Sequence, residues 1–153
     1  MLWKTILVPH DFSASANHAT AIARDEAKLH GAKVVLLHVI DLPTQLQPDT
    51  VIVPSSTGAP LSVKEYALSS ADAHLTDIAQ RLAKDNLKAT PFVRIGNPVD
   101  EITKFIDEEK VDLVIMGTHG RTGLKHLLVG SVAERVVRTS PVPVLTVRHP
   151  EDD

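Results

Sequence analysis

A chain of 153 residues suffices for one domain and can bury on the order of two-thirds of its unfolded surface. Its hydrophobic content is 43% but only 3% is aromatic, so the core must be Val, Ile, Leu and Ala, a composition suited to parallel strands covered by helices. The formal charge of −3 with dispersed basic residues excludes the footprint of a nucleic-acid binder, the lack of cysteine excludes disulfide and thiolate chemistry, and no apolar run approaches the roughly 20 residues of a membrane span.

Met1-Leu2-Trp3-Lys4 lacks a signal-peptide pattern because Ile6-Leu7-Val8 is stopped by Pro9, so a cytoplasmic protein is expected. Thr5 to Val8 predicts a buried first strand, ending in Pro9-His10-Asp11-Phe12-Ser13. Ala14 to His30 carries Ala16, Ala19, Ile22, Ala23, Ala27 and Leu29 at near-helical spacing, with Ser13 as N-cap and Gly31 as the stop. Asp11 therefore falls in the loop after a strand, either as a ligand-facing carboxylate or as a turn residue bonded locally. Lys33 to Ile40 predicts a second strand buried on both faces. His38 within it reads as a core histidine with a satisfied hydrogen bond, because no second histidine lies at metal-like spacing.

Asp41 to Leu61 is irregular, with four prolines at 43, 48, 54 and 60, and its apolar Val51-Ile52-Val53 is expected to pack down. Ser62 to Asn86 predicts a long amphipathic helix whose buried face holds Ala67, Ala71, Leu75, Ile78, Ala79 and Leu82. Lys88 to Ile95 predicts a third strand, placed at a sheet edge by Pro91. Gly96-Asn97-Pro98 opens a helix running through Glu109, with Ile102, Phe105 and Ile106 buried, and Val111 to Met116 is the fourth strand. Gly117-Thr118-His119-Gly120-Arg121-Thr122-Gly123 follows, and Gly130-Ser131 opens the last helix, which runs to about Thr139. Glycines let backbone N–H groups approach a phosphate, and a helix N-terminus adds unpaired donors. Ser131-Val132-Ala133-Glu134 matches a capping box, so this helix is either self-capped or offers its first amides to an anion. Val142 to Arg148 is the last strand, apolar on both faces, which points to a covering partner, most simply a second copy of the chain.

These elements assemble as a single α/β domain over 1–153: a doubly wound five-stranded parallel sheet, strand order 3-2-1-4-5, with helices on both faces. The switch point then falls between strands 1 and 4, bringing Asp11 beside the glycine segment. That segment has neither a P-loop register nor a dinucleotide fingerprint, since its glycines fall at G-x-x-G-x-x-G after the fourth strand. Flavin binding is disfavoured by the scarcity of aromatics.

Ile6 to Ser13, Leu36-Leu37-His38-Val39, Val111 to Gly120, Gly130-Ser131 and Pro143-Val144-Leu145 together resemble the universal stress protein family over nearly the full length. Gly117, Gly120, Gly130 and Ser131 fill the G-x2-G-x9-G-[ST] pattern of the family's ATP-binding branch. The resemblance implies an adenine nucleotide alpha hydrolase-like fold that binds ATP, with Mg2+ or Mn2+ as accompanying ion. It implies that Asp11 lies beside ribose and phosphates as the candidate metal ligand, that Pro9 shapes the adenine-side wall, and that the backbone of Val39 reads the adenine edge. Gly117 and Gly120 would lie against ribose and α-phosphate, and Gly130 and Ser131 would hold the outer phosphates. A homodimer through Val142 to Arg148 is implied as well. His10 occupies a position where small or hydrophobic residues are usual in the family.

The expected function is ATP binding in a regulatory or stress-response role with at most slow hydrolysis. Turnover needs a positioned water and charge neutralisation at the γ-phosphate, for which the sequence offers Asp11 and, in the glycine loop, His119, Arg121 and Lys125. The alternatives are a Mg2+-dependent ATPase or nucleotidyl transferase built on Asp11, and a nucleotide-independent dimeric interaction module.

Overall fold

Parallel strands buried on both faces need two helical layers, and alternation along each strand assigns every other residue to one of them. The computed structural model describes residues 2–43, 45, 47–118 and 130–149. In chain order the elements are β1 (Thr5–Pro9), α1 (Ala14–His30), β2 (Lys33–Ile40), β3 (Val51–Ile52), β4 (Leu61–Ser62), α2 (Val63–Ala83), β5 (Ala89–Ile95), α3 (Pro98–Glu108), β6 (Leu113–Gly117), α4 (Ser131–Thr139) and β7 (Val144–Val147). Five strands pair in parallel in the order β5-β2-β1-β6-β7, which is the expected 3-2-1-4-5 once the short pair β3-β4 is set aside.

Ile6, Val8, Val34, Leu36 and Ile115 point to the face covered by α1 and α2, where Ala19, Ala23, Ala27, Leu75 and Leu82 meet them. Leu7, Val35, Leu37, Val114 and Met116 point to the other face, against Ile102, Phe105 and Ile106 of α3 and Ala133 and Val136 of α4. The alanine stripe of α1 lets that helix lie close to the sheet. Leu29, grouped with the stripe from sequence, falls outside it and is 74% exposed.

Pro91 sits opposite Leu36 in β5, the outermost strand on that side, where its missing N–H costs no ladder bond. Asn97 caps α3, its side chain accepting from the N–H groups of Val99 and Asp100 at 3.1 and 3.2 Å, with Pro98 in the first turn. The helix beginning at Val63 carries a full capping box between Ser62 and Glu65 and stops at Ala83, short of the expected Asn86, which adopts φ 60°. The 41–61 stretch contains a two-residue antiparallel ribbon, Val51–Ile52 against Leu61–Ser62. Here the expectation that Val51-Ile52-Val53 packs down fails: alternation leaves Val51 and Val53 66% and 63% exposed, and Ile52 alone is half-buried.

Candidate functional site

Because β1 and β6 are neighbours whose following helices lie on opposite faces, their carboxyl ends part and leave a crevice. A cavity of about 560 Å³ opens there. Pro9, Asp11, Val39, Gly117, Gly130 and Ser131 all line it, so the structure gathers six of the seven expected site residues from four separate segments. Gly120 lies outside the described residues, as do His119, Arg121 and Lys125. One side of the cavity is apolar, formed by Pro9, Leu37, Val39, Ile102 and Met116. The start of α4 lines the cavity as well, through Gly130, Ser131, Val132 and Ala133.

Asp11 makes the local turn and also stands at the cavity. Its Oδ1 accepts the Ser13 N–H at 3.0 Å, closing a local turn, while the residue lines the cavity. Ser13 in turn accepts the Ala16 N–H at 3.1 Å as the N-cap of α1, so the carboxylate is fixed to a helix start. Between them Phe12 takes φ 66°, a conformation that costs a bulky residue about 1–3 kcal/mol. Its ring offsets that strain by packing against three imidazoles, at centroid distances of 5.3 Å from His10, 4.6 Å from His38 and 5.2 Å from His74.

His10 is 3% exposed. Its Nδ1 accepts the Phe12 N–H at 3.0 Å, which requires that nitrogen to be unprotonated and puts the proton of the neutral ring on Nε2. Burial holds the imidazole below the ordinary histidine value. The Asp11 carboxylate and the Asn17 side chain pull the other way, and His38 lowers it further. Although Asn17 is near enough to exert that pull, the buried Nε2 meets no acceptor in hydrogen-bonding geometry among the described residues. His38 is half-buried and lines the cavity as well. Its Nδ1 donates to the His10 carbonyl at 2.7 Å, the satisfied bond expected of it.

Gly117 has a packing reason to be glycine. A Cβ there would stand 2.2 Å from Ser15 Oγ and 2.8 Å from the Ser15 carbonyl carbon, so β6 meets the start of α1 at backbone distance. Beyond it Thr118 is buried and its N–H donates to the Val147 carbonyl at 2.9 Å. The Gly130 N–H donates to the Thr118 carbonyl, which joins the two ends of the intervening segment. This corrects one expectation: Gly130 cannot offer that amide to a phosphate while the bond is made.

The capping box expected at Ser131 and Glu134 does not form. Gly130 is the N-cap and Ser131 the first helical residue, no side chain among the described residues caps α4, and the Glu134 carboxylate pairs with Arg138 one turn on. The amides of Ser131, Val132 and Ala133 open the helix, and all three residues line the cavity. An uncapped helix start facing an apolar-walled crevice can take a phosphate together with a flat apolar group. Ser13, Asp41 and Pro98 also line the cavity and were not singled out from sequence. Asp41 follows a strand as Asp11 does, so the same loop-after-strand logic could have found it.

Comparison with known proteins gives the family and the fold. The profile of the Universal stress protein family matches residues 2–148. Universal stress protein MJ0577 of Methanocaldococcus jannaschii is 34% identical over 157 residues, covering 97% of this chain and 97% of its own. The solved structure of MJ0577 superposes with a TM-score of 0.78 at 33% identity, over 97% of this chain and 98% of that one. Two more distant structures share the fold: a universal stress protein in complex with cAMP (TM-score 0.69, 23% identity, covering 97% of this chain and 98% of that one) and one from Archaeoglobus fulgidus in complex with dAMP (TM-score 0.64, 19% identity, 96% and 99%). With its profile matched from residue 2 to 148 and a relative of 34% identity along almost the whole chain, this protein belongs to the universal stress protein family.

Proposed function

We propose that this protein binds an adenine nucleotide, ATP by preference, in the crevice between β1 and β6 and acts as a regulatory, stress-response protein. The observation that carries the reading is the start of α4, without a side-chain cap among the described residues, lining the same cavity of about 560 Å³ as an apolar wall. That volume lies in the range of small-molecule sites. The base would lie toward Pro9 and Val39, with the Val39 backbone reading its edge, and the phosphates toward Gly117, Gly120 and the first amides of α4. Two proteins of the same fold are described in complex with cAMP and dAMP, which supports the nucleotide class.

Asp11 is the residue here that would hold Mg2+ or Mn2+. Among the described residues no group of three or more His, Cys, Asp or Glu side chains converges. An ion at Asp11 would therefore complete its shell with phosphate oxygens and water, as Mg2+ commonly does. No described Lys or Arg lines the cavity. Any hydrolysis is proposed to be slow, because charge building up at a γ-phosphate needs a clamp, and the residues the sequence offers for it, Arg121 and Lys125, lie outside the described residues.

Dimerisation through β7 is part of the same proposal. That strand pairs with β6 on one side, and Leu145 is 42% exposed. No described helix is long and apolar enough to cross a membrane.

The test is calorimetric titration with ATP, together with mass spectrometry of the nucleotide that co-purifies. Gly130 has φ −64° and ψ 157°, which valine also adopts, so Gly130→Val should keep the fold and lose ATP binding. Unchanged affinity in Gly130→Val would remove the site assignment. Sedimentation at micromolar concentration should show a dimer that Leu145→Asp dissociates, and a monomeric parent protein would refute the interface.

A further inference from the structure

At the opposite edge of the sheet, where the strands begin, a second depression of about 510 Å³ collects lysines in a protein of net charge −3. Lys4, Lys33 and Lys88 stand just before or at the start of β1, β2 and β5, three strands adjacent in the sheet. Their backbones are locked together. The Lys33 N–H donates to the Lys4 carbonyl at 2.9 Å, and the Val34 N–H to the Lys88 carbonyl at 2.8 Å. Lys33 and Lys88 stand at paired positions and rise side by side from one face, about 4.8 Å apart, whereas Lys4, one residue before the Thr5 that pairs with Lys33, rises from the other face at the same edge. Lys28 on α1 closes one side, bridged to Asp85 at 2.8 Å.

Local compensation accounts for only part of this charge. The carboxyl ends of α1 and α2 open at this edge, each equivalent to about half a negative charge. With Asp85 they offset two of the four lysines lining the depression, Lys4, Lys28, Lys33 and Lys88. The Asp112 carboxylate, held beside Lys4 by the backbone N–H groups of Lys4 and Thr5, both at 2.9 Å, offsets a third lysine. Among the described residues Lys4, Lys33 and Lys88 have no ion-pair partner. Like charges held side by side lower the stability of the free protein and raise its affinity for whatever neutralises them.

We propose that this lysine basin is a second ligand site, for a phosphate chain. The backbone donors of its floor are already spent within the sheet, and β1 and β2 are interior strands that offer no edge for a peptide to pair with. Binding must then come from charge, which favours the ligand of highest charge density over an acidic peptide. The site is separated from the nucleotide crevice by the length of the strands and does not depend on it.

Inorganic tripolyphosphate titrated into the 15N-labelled protein at low ionic strength tests the proposal. Saturable shifts are expected at the amides of Gly31, Ala32, Lys33, Asn86 and Lys88, distinct from any at Asp11, Val39 or Ser131. Lys33→Glu with Lys88→Glu should weaken that binding about tenfold or more, and Lys33→Arg with Lys88→Arg should restore it, with ATP affinity unchanged in both. No shifts at this edge with millimolar tripolyphosphate, or shifts indifferent to the charge reversal, would overturn the site. Binding of a poly-glutamate peptide without binding of tripolyphosphate would overturn it in favour of an acidic protein partner.

Discussion

Gly117→Ala tests whether the two halves of the crevice are held at backbone distance. The new Cβ would lie 2.2 Å from Ser15 Oγ and 2.8 Å from both the Ser15 Cβ and its carbonyl carbon. Rotating the hydroxyl away relieves the first contact, at the expense of its 3.3 Å bond to the Val147 carbonyl. The other two involve atoms fixed to the first turn of α1, so strand and helix must move apart. Overpacking of that kind costs about 1–3 kcal/mol. Ser15→Ala alone should cost about 0.5–1.5 kcal/mol for the lost bond. In the double variant the hydroxyl contact is gone but the contacts to Cβ and the carbonyl carbon remain. The two losses should therefore be less than additive, with partial rescue. Urea denaturation of the four proteins, with a common m value, reads each difference. If Gly117→Ala unfolds within about 0.5 kcal/mol of the parent, or if the two changes add without coupling, the close approach is wrong. Since α1 begins at the cap that holds Asp11, Gly117→Ala should also weaken nucleotide binding.

Two further outcomes follow from single groups. Burial lowers the pKa of His10 from 6.5, so its contribution is fully present above that value and is lost as pH falls from 6.5 through the folded pKa. Urea midpoints from pH 8 down to about pH 5 should decline accordingly, and less steeply in His10→Asn; equal slopes would deny His10 the role. Asn97→Ala removes the acceptor for two amides of α3 and should cost about 1 kcal/mol by the same measurement, whereas no change would mean water serves the helix start as well.

The sheet was legible because its strands are aliphatic runs too continuous to leave a face in water, as Val34 to Leu37 shows, and because Pro91 marked its own strand as outermost. The order of the strands followed from chain order and right-handed crossovers, and with it the meeting of Asp11 and Gly117. What escaped was set by tertiary context. Nothing in the Phe12 side chain favours φ 66°; the three imidazoles around its ring hold it there, and two of them come from β2 and α2. Val51 and Val53 carry the same β-branched signal as core strands, yet a two-residue ribbon has only one face to bury.

The start of α4 shows how one residue of register decides between capping and binding. Ser62 to Glu65 and Ser131 to Glu134 are the same Ser-x-x-Glu pattern. The first closes a reciprocal box at 3.0 and 3.1 Å, and the second closes none. In α4 the Gly130 carbonyl already accepts the Glu134 N–H at 2.9 Å, so Gly130 is the N-cap and Glu134 falls one place beyond the position a box requires. A glycine cap has no side chain with which to satisfy the first amides, and that deficit is what an anion would use. Gly130→Asp should supply the missing acceptor, since φ −64° and ψ 157° are ordinary N-cap angles. With the favourable charge at the helix start, it should stabilise the protein by about 0.3–1 kcal/mol while repelling phosphate. The expected signature is therefore opposed: a higher urea midpoint and lost ATP binding in one variant. Lost binding with a lowered midpoint would mean the substitution merely damages the fold. A raised midpoint with full ATP affinity would show that the phosphates lie elsewhere than on the amides of Ser131, Val132 and Ala133.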